Sequence, residues 1–354
     1  MPRLYGKQWT RATLMQHVGD VQQVGGAKAV AFDDGPERGV RAIEVRTGTG
    51  FAFSVLPDRG MDVFRAELGG APLAWHSSTG PAAPAFFETG GLGWLRGFQG
   101  GMLVTCGLTH AGPPHEELGL HGRASYIPAH EVSVTQGWSD DDYRIKLRGK
   151  VRETSVFGHD VVLTRRLWTA LGESRFWIED EVENLGHAPA PLMLIYHVNG
   201  GFPVLTADSE LLTASTEVTK GGAKALPDQY ARFQPPTAGF SEEVYFHRLK
   251  AGKDGRTTVA LVNRPFQDGR GIGYALRFPV AQMPCFTEWR MMGEGLYVVG
   301  TEPGNVNPEP LEKLRKEGRL PMVQPGEKKT FEIEFAALGS AEEIDKVENE
   351  IKAL

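Results

Sequence analysis

Apolar residues in this sequence recur at every second position in short runs, and each run meets glycine or proline before it reaches helical length. That pattern constrains the fold more than any other feature, because period-two alternation is what a strand with one buried face requires. The chain carries 44 glycines and 23 prolines in 354 residues. That is well above ordinary usage, and the surplus is spread evenly, as many strands joined by tight turns demand. Ile43 and Val45, then Phe51, Phe53 and Val55, alternate with other residues. Val132 and Val134, then Tyr143, Ile145 and Leu147, repeat the pattern. Residues 160–186 read as two strands around a turn at Leu171-Gly172-Glu173-Ser174, and the last strand sets Phe331, Ile333 and Phe335 against Glu332 and Glu334.

Helical signals are few. Residues 10–17 predict a short helix, and 311–319 another that ends at Gly318. From residue 340, Ser340 and Glu343 predict a capping box, and Ile344, Val347 and Ile351 recur at helical spacing. No internal repeat occurs, and the PPTAG at 235–239 is too short for an interdomain linker. The expectation is an all-β fold, a large antiparallel β-sandwich forming a single domain over residues 1–354. Residues 1–24 would be an N-terminal extension and 340–354 a C-terminal helix.

Charge and motif content exclude several functions. Thirty-eight basic against 44 acidic residues leave a net charge of −6, which argues against a nucleic-acid partner. No run of 18 apolar residues predicts a membrane span. The opening MPRLYGKQWTRATLMQHVGD lacks the apolar core of a secretory signal, so a cytoplasmic location is expected. Cys106 and Cys285 have no CxxC partner and read as buried small hydrophobes. Neither GxGxxG, GxxxxGK[ST] nor GxSxG appears in its required setting.

Four segments hold chemistry-bearing residues. Four of the ten histidines (His110, His115, His121 and His130) fall within 21 residues, the first three of them in THAGPPHEELGLHGRASY beside Glu116, Glu117 and Arg123. The Gly- and Pro-rich first half of that segment places it on a loop, where function concentrates, and histidines close to Arg and Glu suggest a site, with a solvated loop carrying incidental histidines as the alternative. PLMLIYHVNGGFP puts His197 near the end of a strand apolar on both faces. A core histidine bonded to a backbone carbonyl is the structural alternative. WRMMGEGLYVVGTEPGNVNP places Glu302 at the end of a buried strand, where a carboxylate either shifts its pKa or closes a turn. Trp289 and Arg290 precede that strand, and Trp289 fits either a sugar face or the core. SVLPDRGMDV sets Asp58, Arg59 and Asp62 around Gly60, in a tight turn or a binding site.

Taken in order, DRGMD (58–62), LHGR (120–123), YHVN (196–199) and EPGN (302–305) resemble the aldose 1-epimerase, or galactose mutarotase-like, superfamily, and more narrowly a branch of it in which these four tetrapeptide-scale motifs recur. The resemblance runs from about Ile43 to Leu338. It implies a large antiparallel supersandwich and an isomerase acting on a small-molecule sugar or sugar derivative, with no cofactor. It further implies Glu302 as general base and His197 as general acid. His121 and Arg123 would contact the sugar, with Arg59, Asn199 and Trp289 as further binding residues. The chain departs from the typical pattern in having Arg directly after HG.

Two other functions stand beside this one. The surplus of His110, His115 and His121 near carboxylates fits a sugar isomerase or epimerase dependent on a divalent metal, though no HxH or HExxH spacing occurs. A carbohydrate-binding protein without catalysis would keep the same pocket. Arg59, Arg123 and Arg290 make an acidic or sulfonated sugar an option. A homodimer through a sheet edge or the closing helix is compatible with this architecture.

Overall fold

A computed structural model describes residues 1–354. The alternating segments pair as three main antiparallel sheets. An eight-stranded sheet runs, edge to edge, through Glu210–Thr213, Arg256–Asn263, Ile272–Pro279, Lys328–Leu338, Arg175–Asn184, Asp160–Ala170, Asp142–Thr154 and His130–Ser139. A seven-stranded sheet runs through Ala223–Lys224, Ser215–Lys220, Glu243–Leu249, Cys285–Gly293, Leu296–Gly304, Ile195–Gly200 and Val104–Cys106. A five-stranded sheet holds Gly26–Ala31, Arg41–Arg46, Phe51–Leu56, Asp62–Leu68 and Ala71–Pro72. The turn expected at 171–174 joins Asp160–Ala170 to Arg175–Asn184.

The sheets pack face to face, as strands with one apolar face must. Tyr274 of the eight-stranded sheet meets Thr301 of the seven-stranded one through their hydroxyls at 3.0 Å. Phe51 and Phe53 of the five-stranded sheet pack on Phe176 of the eight-stranded one. A contiguous core of 56 buried side chains spans all three, so they form one hydrophobic interior.

Helices serve as covers. Thr10 caps Arg11–Met15, and Leu311–Lys316 ends before Gly318. The closing helix is Ala341–Lys352, and its Ile344, Val347 and Ile351 pack on Ala260, Val262, Ala275 and Leu338 on the outer side of the eight-stranded sheet. Only half of its capping box forms as expected. Ser340 Oγ accepts the Glu343 N–H, while Glu343 reaches past Ser340 and accepts the Gly339 N–H at 2.8 Å. Residues 1–24 are more than an extension, because Leu4, Leu14, Val18, Val21 and Val24 join the central core. Cys106 is buried as expected, but Cys285 is partly exposed. No helix is long and apolar enough to cross a membrane.

Candidate active site

The seven-stranded sheet has one face against the core and the other under the loops of residues 73–126. Between sheet and loops lies a cavity of about 640 Å³. Its floor is set by register. Ile195 pairs with Gly304 and Val198 with Thr301, which places His197 across from Glu302 on the same face of neighbouring strands. Side chains opposite each other in an antiparallel pair are within reach of contact, and His197 Nε2 lies 3.2 Å from Glu302 Oε1. Both side chains are almost fully buried, at 5% and 2% exposure. Glu302 is not at a strand end, as the sequence suggested, but inside Leu296–Gly304. His197 likewise lies within Ile195–Gly200.

Aromatic rings wall this floor. His197 contacts Phe98 edge-on at 5.3 Å and Trp289 at 5.5 Å between ring centroids. Trp75 and Trp94 pack on Phe98. His121 enters from the loop, 4.9 Å from Trp94 and 5.9 Å from His197 between centroids. Two consecutive left-handed residues put it there, His121 at φ 57° and Gly122 at φ 73°. A non-glycine residue in that region is strained, and such strain clusters at functional sites. Gly122 is required by close approach as well, because a Cβ there would run into the carbonyl oxygens of His110 and Gly107.

Burial dominates the electrostatics. Desolvation pushes Glu302 up to about 8, with a further push from the Glu242 carboxylate. It pushes His197 down to about 4 and His121 down to about 3. The 3.2 Å contact acts in the opposite sense, since a carboxylate and an imidazolium stabilise each other. Trp94 Nε1, His121 Nδ1, His197 Nδ1 and Glu302 Oε1 are buried without a hydrogen-bond partner. Four such atoms on residues that all line one cavity are a strong departure from normal polar satisfaction.

The remaining expected site residues fall elsewhere. Arg59 is buried, and its guanidinium donates to the carbonyls of Ser125, Ala82 and Gly97 and stacks on Tyr126. It fastens the covering loops and does not line the cavity. Asp58 pairs with Arg41, and Asp62 accepts from Thr105. Arg123 is exposed and absent from the lining. Asn199 donates to the carbonyls of Gly101 and His197 and is likewise structural. Arg290 points to the other face of its strand and donates to the carbonyls of Gln229 and Arg232. No lysine or arginine lines the cavity, which removes the basis for an acidic or sulfonated sugar. Trp289 does line it, and its indole N–H donates to Glu242 at 2.7 Å.

The metal alternative lacks its ligand set. His110 turns its Nε2 to the Pro113 carbonyl and His115 lies 3.8 Å from Glu116, so neither joins His121. No group of three His, Cys, Asp or Glu side chains gathers anywhere in suitable geometry.

Several lining residues escaped the sequence reading. Trp75, Trp94 and Phe98 come from the covering loops and Glu242 from the residue just before Glu243–Leu249, where spacing carries no signal. Gly300 was equally silent. It pairs with Trp289, and a Cβ there would collide with the Glu302 carboxylate, so glycine keeps the floor open. A larger groove of about 830 Å³ lies on the outer face of the eight-stranded sheet, beside Arg144, Trp168 and Trp177. None of the four unpartnered atoms lies there.

A family model described as a domain of unknown function, DUF4432, matches residues 37–337. Among solved structures, the chain is similar to a protein of Klebsiella pneumoniae subsp. pneumoniae MGH 78578 provisionally named an aldose 1-epimerase. The identity is 27% over 92% of this chain and 86% of that one, with a TM-score of 0.85. It is also similar to a galactose mutarotase-like protein of Clostridium acetobutylicum, at 13% identity over 89% of this chain and 99% of that one, TM-score 0.63. A galactose 1-epimerase of Lactobacillus acidophilus NCFM matches at 11% identity over 88% of this chain and 98% of that one, TM-score 0.56. These last two identities speak to fold alone, and the fold is the galactose mutarotase-like β-sandwich. No curated protein matches the sequence significantly.

Proposed function

The chain belongs to the DUF4432 family, described as a domain of unknown function, and we propose that it is a carbohydrate-processing isomerase that interconverts sugar anomers by acid–base ring opening. The observation that carries this reading is the buried contact of His197 Nε2 with Glu302 Oε1 at 3.2 Å on the floor of an aromatic-walled cavity. The anomeric hydroxyl oxygen and the ring oxygen of a pyranose are bonded to the same carbon. An acid and a base whose reactive atoms lie 3.2 Å apart can therefore each reach one of them from the same side.

In this mechanism Glu302 removes the anomeric O–H proton while His197 gives a proton to the ring oxygen. The bond between the anomeric carbon and the ring oxygen breaks, and the carbonyl forms. Rotation about the next carbon–carbon bond presents the other carbonyl face. The ring oxygen returns its proton to His197 as it attacks, and Glu302 protonates the new hydroxyl. Protons balance, and neither residue changes state over the cycle. Trp75, Trp94, Phe98 and Trp289 supply apolar faces for the C–H side of the sugar. Trp94 Nε1 and His121 Nδ1 supply partners for its hydroxyls.

Proton NMR exchange between α and β signals, run over a panel of free aldoses, tests the proposal. The expected result is faster exchange for at least one sugar, lost by at least 100-fold, on the order of a general-base contribution, in Glu302→Gln, with sugar binding retained. Full rate in Glu302→Gln removes Glu302 as base. Binding without acceleration of any sugar, in wild type and variant alike, means a carbohydrate-binding protein instead.

A further inference from the structure

We propose that the sugar taken by this cavity carries an uncharged apolar substituent on the side away from its anomeric carbon, received by Leu92, Leu95 and Leu296. The inference rests on the reading of His197 and Glu302 as the ring-opening pair, which fixes where the anomeric carbon lies.

The hairpin of Cys285–Gly293 and Leu296–Gly304 gives the cavity its length. Glu302 stands across from Thr287, Gly300 from Trp289, Val298 from Met291 and Leu296 from Gly293. Alternate residues share a face, and Glu302, Val298 and Leu296 all line the cavity. Six residues at about 3.3 Å each separate Glu302 from Leu296 by roughly 20 Å. A single pyranose ring spans well under half of that. The chemistry changes along this line from His197, Glu302 and Thr287, through the Trp289 ring, to Met291, Val298 and Leu296.

The opening is apolar as well. Leu92 is 60% exposed, Leu95 46% and Leu296 46%. A solitary exposed leucine needs no explanation, but these three come from segments 200 residues apart in sequence and line the same cavity. Such a convergence marks a surface kept for a ligand. The class of substituent follows from charge. The cavity has no lysine or arginine to meet an anion, and the exposed Glu242 carboxylate at its edge repels one. A deoxy carbon, an alkyl ether or an ester meets these walls at no cost in unpaired charge.

The test uses free hexoses bearing an alkyl ether on the carbon farthest from the anomeric one, from methyl to butyl. Binding is read by quenching of tryptophan fluorescence, since Trp75, Trp94 and Trp289 line the cavity. Each added methylene should tighten binding about fourfold. The double variant Leu92→Ser, Leu296→Ser should flatten the series, and Leu185→Ser, exposed outside the cavity, should leave its slope intact. A flat series in wild type overturns the proposal, as does a uronate bound as tightly as the ethers. So does a dimer that buries the leucines and falls apart in Leu296→Ser while the series is flat. Anomer exchange is followed in parallel. A steep series without exchange refutes ring opening and sustains the specificity, whereas exchange with a flat series does the reverse.

Discussion

On the cavity floor, burial draws the two titrating side chains towards their neutral forms, Glu302 up to about 8 and His197 down to about 4. A protonated Glu302 beside a neutral His197 holds as many protons as a carboxylate beside an imidazolium. For the proposed ring opening, the ion pair would need only one proton to cross 3.2 Å, and a sugar's hydroxyls would restore the polarity that favours it. The two titrations belong to the pair. Below about 4 the pair gains a proton and loses its base, and above about 8 it loses the shared proton and with it the acid. The rate of anomer exchange should accordingly plateau between about 4 and about 8 and fall about tenfold per pH unit on either side. A profile that keeps rising above 8 would show that no shared proton is used. The letters of the sequence named Glu302 and His197, yet not their charge states, which come from the water the fold excludes. Asn199 and Asn305 show the converse. Both stand in motifs that suggested function, and both hold backbone: Asn199 donates to Gly101 and His197, and Asn305 accepts from Leu194 and donates to Leu192.

Ile195–Gly200 carries its catalytic candidate on one face and its anchor on the other. His197 faces the cavity. Tyr196, the preceding residue, donates to Asp180 at 2.7 Å on the core side. Asp180 also accepts from Arg165 through Nε at 2.9 Å and Nη2 at 2.6 Å, and Arg165 Nη1 donates to Thr105. Thr105 in turn sits across from Tyr196 and donates to Asp62. This buried network ties the eight-stranded sheet to the two strands beneath the site. Removing one partner of a buried pair leaves an uncompensated charge at a cost of about 3–5 kcal/mol. Asp180→Ala should lower unfolding free energy by that order, read from the denaturant midpoint. A loss under about 1 kcal/mol, the scale of a surface pair, would mean that Asp62, 3.6 Å from Arg165, carries the charge alone. Strands themselves were legible from period-two alternation. Their partners were not, because Ile195–Gly200 pairs with strands about 90 and 100 residues away along the chain, and local sequence does not record such distant register.

At the scale of the molecule, the eight-stranded sheet is covered twice, by the other sheets on one side and by Ala341–Lys352 on the other. The closing helix therefore contributes stability and lies apart from the cavity. Ile344→Ala should cost about 2–5 kcal/mol from lost burial and the void left behind, seen as a lower midpoint in urea, with anomer exchange at saturating sugar unchanged in the folded protein. A matching loss of exchange in the folded variant would tie the helix to the site. The sequence by itself determined the all-β class and the capped helix at the end, and it singled out His197 and Glu302 as candidates, because alternation, helical spacing and titratable side chains are local properties of the chain. Tertiary structure alone decided that Arg59, Arg123, Asn199 and Arg290 stand outside the cavity, that Trp75, Trp94, Phe98 and Glu242 stand inside it, and that His110 and His115 turn away from His121. Which side chains share a cavity depends on strand register and on how loops close over a sheet, and both are settled by packing between residues far apart in the chain.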